Sequence, residues 1–269
     1  MVPVDMDKLL GLAAGDGPLF LLVFFRVTGV MMLAPVFGSA MAPAPVKIFF
    51  SMVLAVLFFP VVRDPGAPAA FEGSVLALAV VWELAVGLLI GFASAMLFAG
   101  VQFGGHLIDQ ELGILQANLL DPMLNEQISI VGQFKVLLAS MVYLLINGHH
   151  LLIGAVSDSF RAVPMMGLLF TKGAALHLSD TLMRDVFRMG IEIAAPALVT
   201  LFLVTIAMAF MARTAPEMNI FALSFTLRIA VGFVVIAIGV GLFVAGFENR
   251  QLQQSAAVKA LIGMLGGQG

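Results

Sequence analysis

SVLALAVVWELAVGLLIGFASAMLFAGV, residues 74–101, decides the fold class. The run is longer than the roughly 20 apolar residues that carry a helix across a bilayer, and Glu83 is its one charged side chain. Gly87, Gly91, Ala95 and Ala99 recur every fourth residue, so one face of the helix is smooth enough for another backbone to approach closely. Membrane helices are rich in Gly and Ala whatever their role, but this regular spacing favours a packed interface.

Five further apolar stretches flank it, at about Pro18–Phe37, Val46–Val62, Val131–Ile146, Gly190–Met211 and Ile220–Phe247. The runs at 74–101 and 220–247 are long enough to tilt or bend, and those at 46–62 and 131–146 are short. The whole chain of 269 residues is 61% hydrophobic and 11% charged, with a mean hydropathy of +1.10. A soluble domain carries about 25% charged residues. The expected class is therefore all-α, with about six apolar helices, some broken, arranged as membrane-type hairpins. A formal net charge of −3 argues against nucleic-acid binding, and the absence of cysteine excludes disulfides and thiolate chemistry. The N-terminal stretch has acidic residues beside Lys8 and no basic lead into a short apolar core, so the first apolar run is expected to be retained.

The connectors differ in kind. GSAMAPAP (38–45) and RDPGAP (63–68) are helix-ending turns. The 102–130 connector is long and half-polar. Residues 131–189 read as a helix followed by a connector whose later part is amphipathic, with Leu182, Val186 and Met189 on one face and Ser179–Asp180 as its N-cap region. Residues 190–247 form a C-terminal hairpin, and 248–269 a polar tail. With six crossings, the basic loop residues favour both ends in the cytoplasm.

Charges inside the apolar runs need partners, because one at a helix centre costs about 2.5–3.5 kcal/mol on insertion scales. Arg26, Glu192 and Arg228 are either buried in contacts or snorkel from helix ends. Glu83 and Lys135 lie deeper and are expected to contact other helices or face a water-filled space. Enzyme signals are poor: His149 and His150 are adjacent rather than four apart, and no HExxH, nucleophile elbow or phosphate loop is present. No catalytic residue, metal or cofactor is expected.

Four stretches, in order, resemble the FliR/SctT family of type III secretion export-gate proteins. They are FFRVTGVMMLAPVFGSAMAPAPVKI, DQELGILQANLLDP, YLLINGHHLLI and MARTAPEMNIFALSFTLRI. The resemblance covers about residues 18–247 of a single 1–269 export-gate domain. It implies a FliP-like half followed by a FliQ-like half, with helical hairpins lifted largely out of the bilayer. It implies assembly with about five FliP-like and about four FliQ-like subunits, contact with FlhB-like and FlhA-like components, passage of unfolded protein substrates, and an inner-membrane, basal-body location.

It also implies that the loop matching 106–122 plugs the closed pore. Its candidate residues are Gln110, Glu111, Leu112, Gly113, Ile114, Leu115, Gln116, Asn118, Leu119 and Leu120. Such a plug needs apolar atoms to seal and polar atoms to tolerate wetting. Irregular backbone at membrane depth is tolerated only within protein or a wet cavity. Gly104, Gly105 and Gly113 permit a tight or a mobile backbone. Asp109, Glu111, Leu112 and Gln116 depart from the flagellar pattern, and Ile108–Asp109 resembles the injectisome form. Two readings of other classes stand beside this one: a secondary transporter of a small solute, and a membrane scaffold that moves nothing.

Overall fold

A computed structural model describes residues 17–39, 42–62, 73–114, 129–165, 176–215, 217 and 219–266. Among them every regular element is helical: α1 (Gly17–Leu33), α2 (Ala44–Val62), α3 (Gly73–Leu112), α4 (Ile130–Leu145), α5 (Gly148–Ala162), α6 (Met183–Thr214) and α7 (Ile220–Leu265). A π-helical turn, His177–Leu182, leads directly into α6. By length and composition α2, α3, α6 and α7 could cross a membrane, and the broken pair α4–α5 would make a fifth span; α1 is a shorter apolar helix. The array agrees with the expected all-α membrane class of about six apolar helices, some broken; the count of basic loop residues holds only if every apolar run crosses lipid, and α1 is short for that.

Element boundaries also differ from the sequence reading. Residues 102–112 continue α3 as helix rather than opening a loop. The amphipathic 182–189 segment is fused to the apolar run that follows, giving a 32-residue α6 whose start has no side-chain cap; Ser179 lies inside the π turn. The expected polar tail is helical to Leu265, with Val258, Leu261, Ile262 and Leu265 buried. Its apolar positions fall on one face, so packing overrides the polar average of the segment.

The chain forms two compact units. The first gathers residues 1–95, 149–180 and 254–269, the second 96–148 and 181–253. Each therefore draws on separated parts of the sequence.

In the first unit α1 lies against α3. A Cβ on Gly29 would come within 2.6 Å of the Leu84 carbonyl oxygen, and one on Gly91 within 2.7 Å of the Val30 oxygen. Gly87 faces the Arg26 carbonyl just as closely, whereas Ala95 is half-buried further along α3. Leu22, Val23, Val27, Val30, Ala55 and Ile90 are fully buried in this unit. The APVFG turn after α1 places Val36 at φ 67° and is tied by Lys47 Nζ, which donates to the Gly38 carbonyl at 2.9 Å.

In the second unit Ile108, Leu112, Val131, Ala194, Ala197 and Leu201 form the core, drawing α3, α4 and α6 together. Gly104 meets Gly190, and Gly105 meets Gly132, at backbone distance. Of the tight and mobile backbones those two glycines permit, the structure uses the tight one, in close helix packing. The Asn-Gly of NGHH breaks α4 from α5, with Asn147 at φ 57°, a left-handed conformation that Asn tolerates.

Candidate functional site

The 109–122 stretch begins inside α3. Asp109 is fully buried one turn before the helix ends. Its carboxylate accepts from the Ser129 hydroxyl and from the backbone N–H of Val131, at 3.1 and 3.2 Å to its two oxygens. Ser129 in turn caps α4, its Oγ accepting from the Gly132 N–H at 3.0 Å. An acidic group at a helix N-terminus satisfies donors that the helix leaves open and complements its dipole. Hydrogen bonds to a charged group are worth about 1.5–3 kcal/mol. Asp109 therefore ties the chain entering the segment to the chain leaving it. Sequence reasoning placed Asp109 in the pore-obstructing 109–120 segment and not at a helix start; no local pattern links it to a cap 20 residues further along the chain.

Gln110 is exposed, Glu111 is half-buried and Leu112 is fully buried, all within α3. Leu112 packs against Gly232 of α7, where a side chain would collide with it. Gly113 ends the helix at φ 78°, its N–H donating to the Gln110 carbonyl, and Ile114 packs on the adjoining core. The positive φ explains the glycine. Leu112 is thus a core residue, although it stands among the plug candidates. Leu115, Gln116, Asn118, Leu119 and Leu120 lie outside the described residues.

The charges within the apolar runs separate into four settings. Arg26 and Glu83 are both buried in the first unit, and Arg26 Nε donates to Glu83 at 2.5 Å. The guanidinium also donates to the Ser159 carbonyl at 3.0 Å and the Val163 carbonyl at 3.2 Å, and lies 4.6 Å from the Phe160 ring centre. Arg26 does not snorkel: it joins α1, α3 and the C-terminal end of α5, where open carbonyls favour a cation. Glu192 is half-exposed and binds Arg188 at 2.9 Å and also Arg250. Arg228 is half-buried, and its Nε has no hydrogen-bond partner among the described residues.

Lys135 is buried in the second unit beside a cleft of about 650 Å³ between α4, α6 and α7. Its ammonium stands 4.8 Å from the centre of the Phe243 ring, a favourable cation–π placement.

Comparison with known proteins gives these positions a family context. The model of the family described as "Bacterial export proteins, family 1" matches residues 18–253. The chain is similar to the flagellar biosynthetic protein FliR of Bacillus subtilis (strain 168), at 32% identity over 223 residues, 82% of this chain and 85% of that protein. It is 27% identical to the Escherichia coli (strain K12) FliR over 212 residues, 79% and 80% of the two chains. To the Aquifex aeolicus (strain VF5) FliR it is 25% identical over 233 residues, 86% and 88%.

Proposed function

The chain belongs to the bacterial export proteins, family 1, and from that premise we propose that it is a non-enzymatic subunit of the flagellar type III protein export gate. It works in the inner membrane, at the basal body, with FliP-like and FliQ-like proteins and beside FlhB-like and FlhA-like components. Unfolded flagellar proteins pass through the channel so formed. The observation that carries this reading is the family match along 18–253, together with the likeness to flagellar biosynthetic proteins at 25–32% identity over about 80% of the chain. It favours the flagellar over the injectisome assignment.

In the closed gate the segment after Gly113 plugs the channel. The Asp109 anchor supports this part of the reading, because a plug must be held at both ends while its middle gives way. The bonds from Ser129 and Val131 to Asp109 hold the two flanks of the segment side by side. The carboxylate lies where it holds α4 in place, which explains why an acid stands at 109.

The test is co-expression of the tagged chain with its neighbouring FliP-like and FliQ-like proteins and native mass measurement in mild detergent. One complex holding a single copy of this chain among several of each partner is the expected result; a stable monomer or homodimer that ignores both overturns the reading. Deleting 115–120, which spares Asp109 and Leu112, should raise ion leakage across the inner membrane. Unchanged conductance in an assembled gate sinks the plug.

A further inference from the structure

Lys135 presents a problem that the gate reading leaves open. It is 6% exposed, and among the described residues no carboxylate lies within ion-pair distance of its ammonium. The Phe243 ring is its recorded charge partner. A buried ammonium at membrane depth is costly unless a counter-charge or water reaches it.

The cleft beside it is open on the outside of α7. Ile238 and Leu242 on its wall are 79% and 70% exposed, and Gly239 and Gly246 have nothing within reach of a Cβ. The cleft is therefore an apolar trough with a buried cation in its side. We propose that this trough seats an apolar helix of a partner protein that carries one carboxylate, and that this Asp or Glu side chain pairs with Lys135.

Three features select that occupant. A lipid acyl chain offers no counter-charge to an ammonium. A phosphate headgroup belongs at the polar mouth, about 10 Å along α7 from Phe243 to Arg250, where Arg250 and Arg188 already share Glu192. A second copy of this chain is the weaker occupant, since among the described acids within or beside the apolar runs Glu83 is tied to Arg26, Glu192 to two arginines, and Asp109 to the start of α4. The lining of α7 from Val235 to Arg250 extends about 22 Å, enough for four turns of a partner helix. Charge pairing at one depth fixes that helix's register, and apolar burial along the trough supplies its affinity.

A photo-crosslinking amino acid is placed at Leu242 in the full-length chain, in cells making the complete export apparatus. The expected adduct maps to an apolar partner helix containing Asp or Glu. Lys135→Glu should lower its yield by about tenfold or more, as expected for replacing attraction with repulsion at one buried pair. Changing the partner carboxylate to Lys in that background should restore it. Lys135→Met, which removes a buried charge without adding one, guards against misfolding and should also weaken the adduct at unchanged chain yield.

A phospholipid adduct, a self-adduct, a helix without a carboxylate, no adduct, or equal yield from Lys135→Glu each overturns the inference. It rests on the gate-subunit reading only for its supply of partner helices. A lipid adduct from a chain still held in the multi-subunit complex ends the docking site and leaves the gate. A carboxylate-helix adduct from a chain outside that complex does the reverse.

Discussion

Replacing Glu83 with Leu tests the buried pair that ties α1 to α3. Both side chains are essentially inaccessible, at 0% and 1%. Removing one member of such a pair costs about 3–5 kcal/mol, chiefly because the other charge stays buried. Arg26 keeps its bonds to the Ser159 and Val163 carbonyls and its contact with Phe160, so the lower end, about 3 kcal/mol, is expected. Arg26→Leu should cost about as much, because it removes the donor at the end of α5 as well as the guanidinium beside Glu83.

The double variant carries the decisive information. Two leucines bury no charge, so its loss should fall well short of the sum of the single losses, with a coupling of about 2 kcal/mol or more. Purified chains in mild detergent would be unfolded reversibly by added SDS and followed by helix signal. The same set would be tested for incorporation into the complex. Additive single losses, with coupling below about 0.5 kcal/mol, would refute the reasoning that the two charges hold each other.

Asp109→Ala should destabilise the second unit by about 2–4 kcal/mol, since it leaves the Val131 N–H and the Ser129 hydroxyl without their acceptor. Hydrogen exchange at the Val131 and Gly132 amides should accelerate first, and unchanged protection there would count against the anchor. Gly87→Ala should cost about 1–3 kcal/mol through collision with the α1 backbone. Gly154→Ala, with open space around it, should instead stabilise by a few tenths to about 1 kcal/mol. Equal melting shifts for the two glycines would disprove the close-approach argument. Glu192→Gln should change stability by less than about 1 kcal/mol, because its ion pairs are solvent-screened; a larger loss in a detergent melt would show the network to be better shielded than its exposure indicates.

Apolar periodicity and length revealed the helices at 17–33, 44–62 and 130–145 nearly to their ends, because a long apolar run with a single charge has few other stable states. Boundaries failed where polar residues continue a helix. Residues 102–112 look like a loop by composition, yet Ile108 and Leu112 fall on a buried face and draw the segment into α3. The C-terminal stretch repeats the effect, since Val258, Leu261 and Ile262 are spaced for one helix face despite the polar residues between them. The resemblance pointed to 110–120 as one functional unit. The structure divides it, assigning Leu112 to the core and the turn to Gly113.

The sequence by itself determined the all-helical membrane class, the family and the need for the buried charges to find partners. Those are consequences of composition, spacing and the cost of charge in an apolar setting, all of which are local. Only the tertiary structure decided that Arg26 meets Glu83 and the end of α5 across 133 and 137 residues of chain, that Asp109 caps α4, and that Lys135 is left facing a groove. Sequence spacing cannot encode which of several helices lies beside which. That choice comes from the fit of small residues such as Gly29 and Gly87 across a backbone contact, and such fit exists only once the helices are packed.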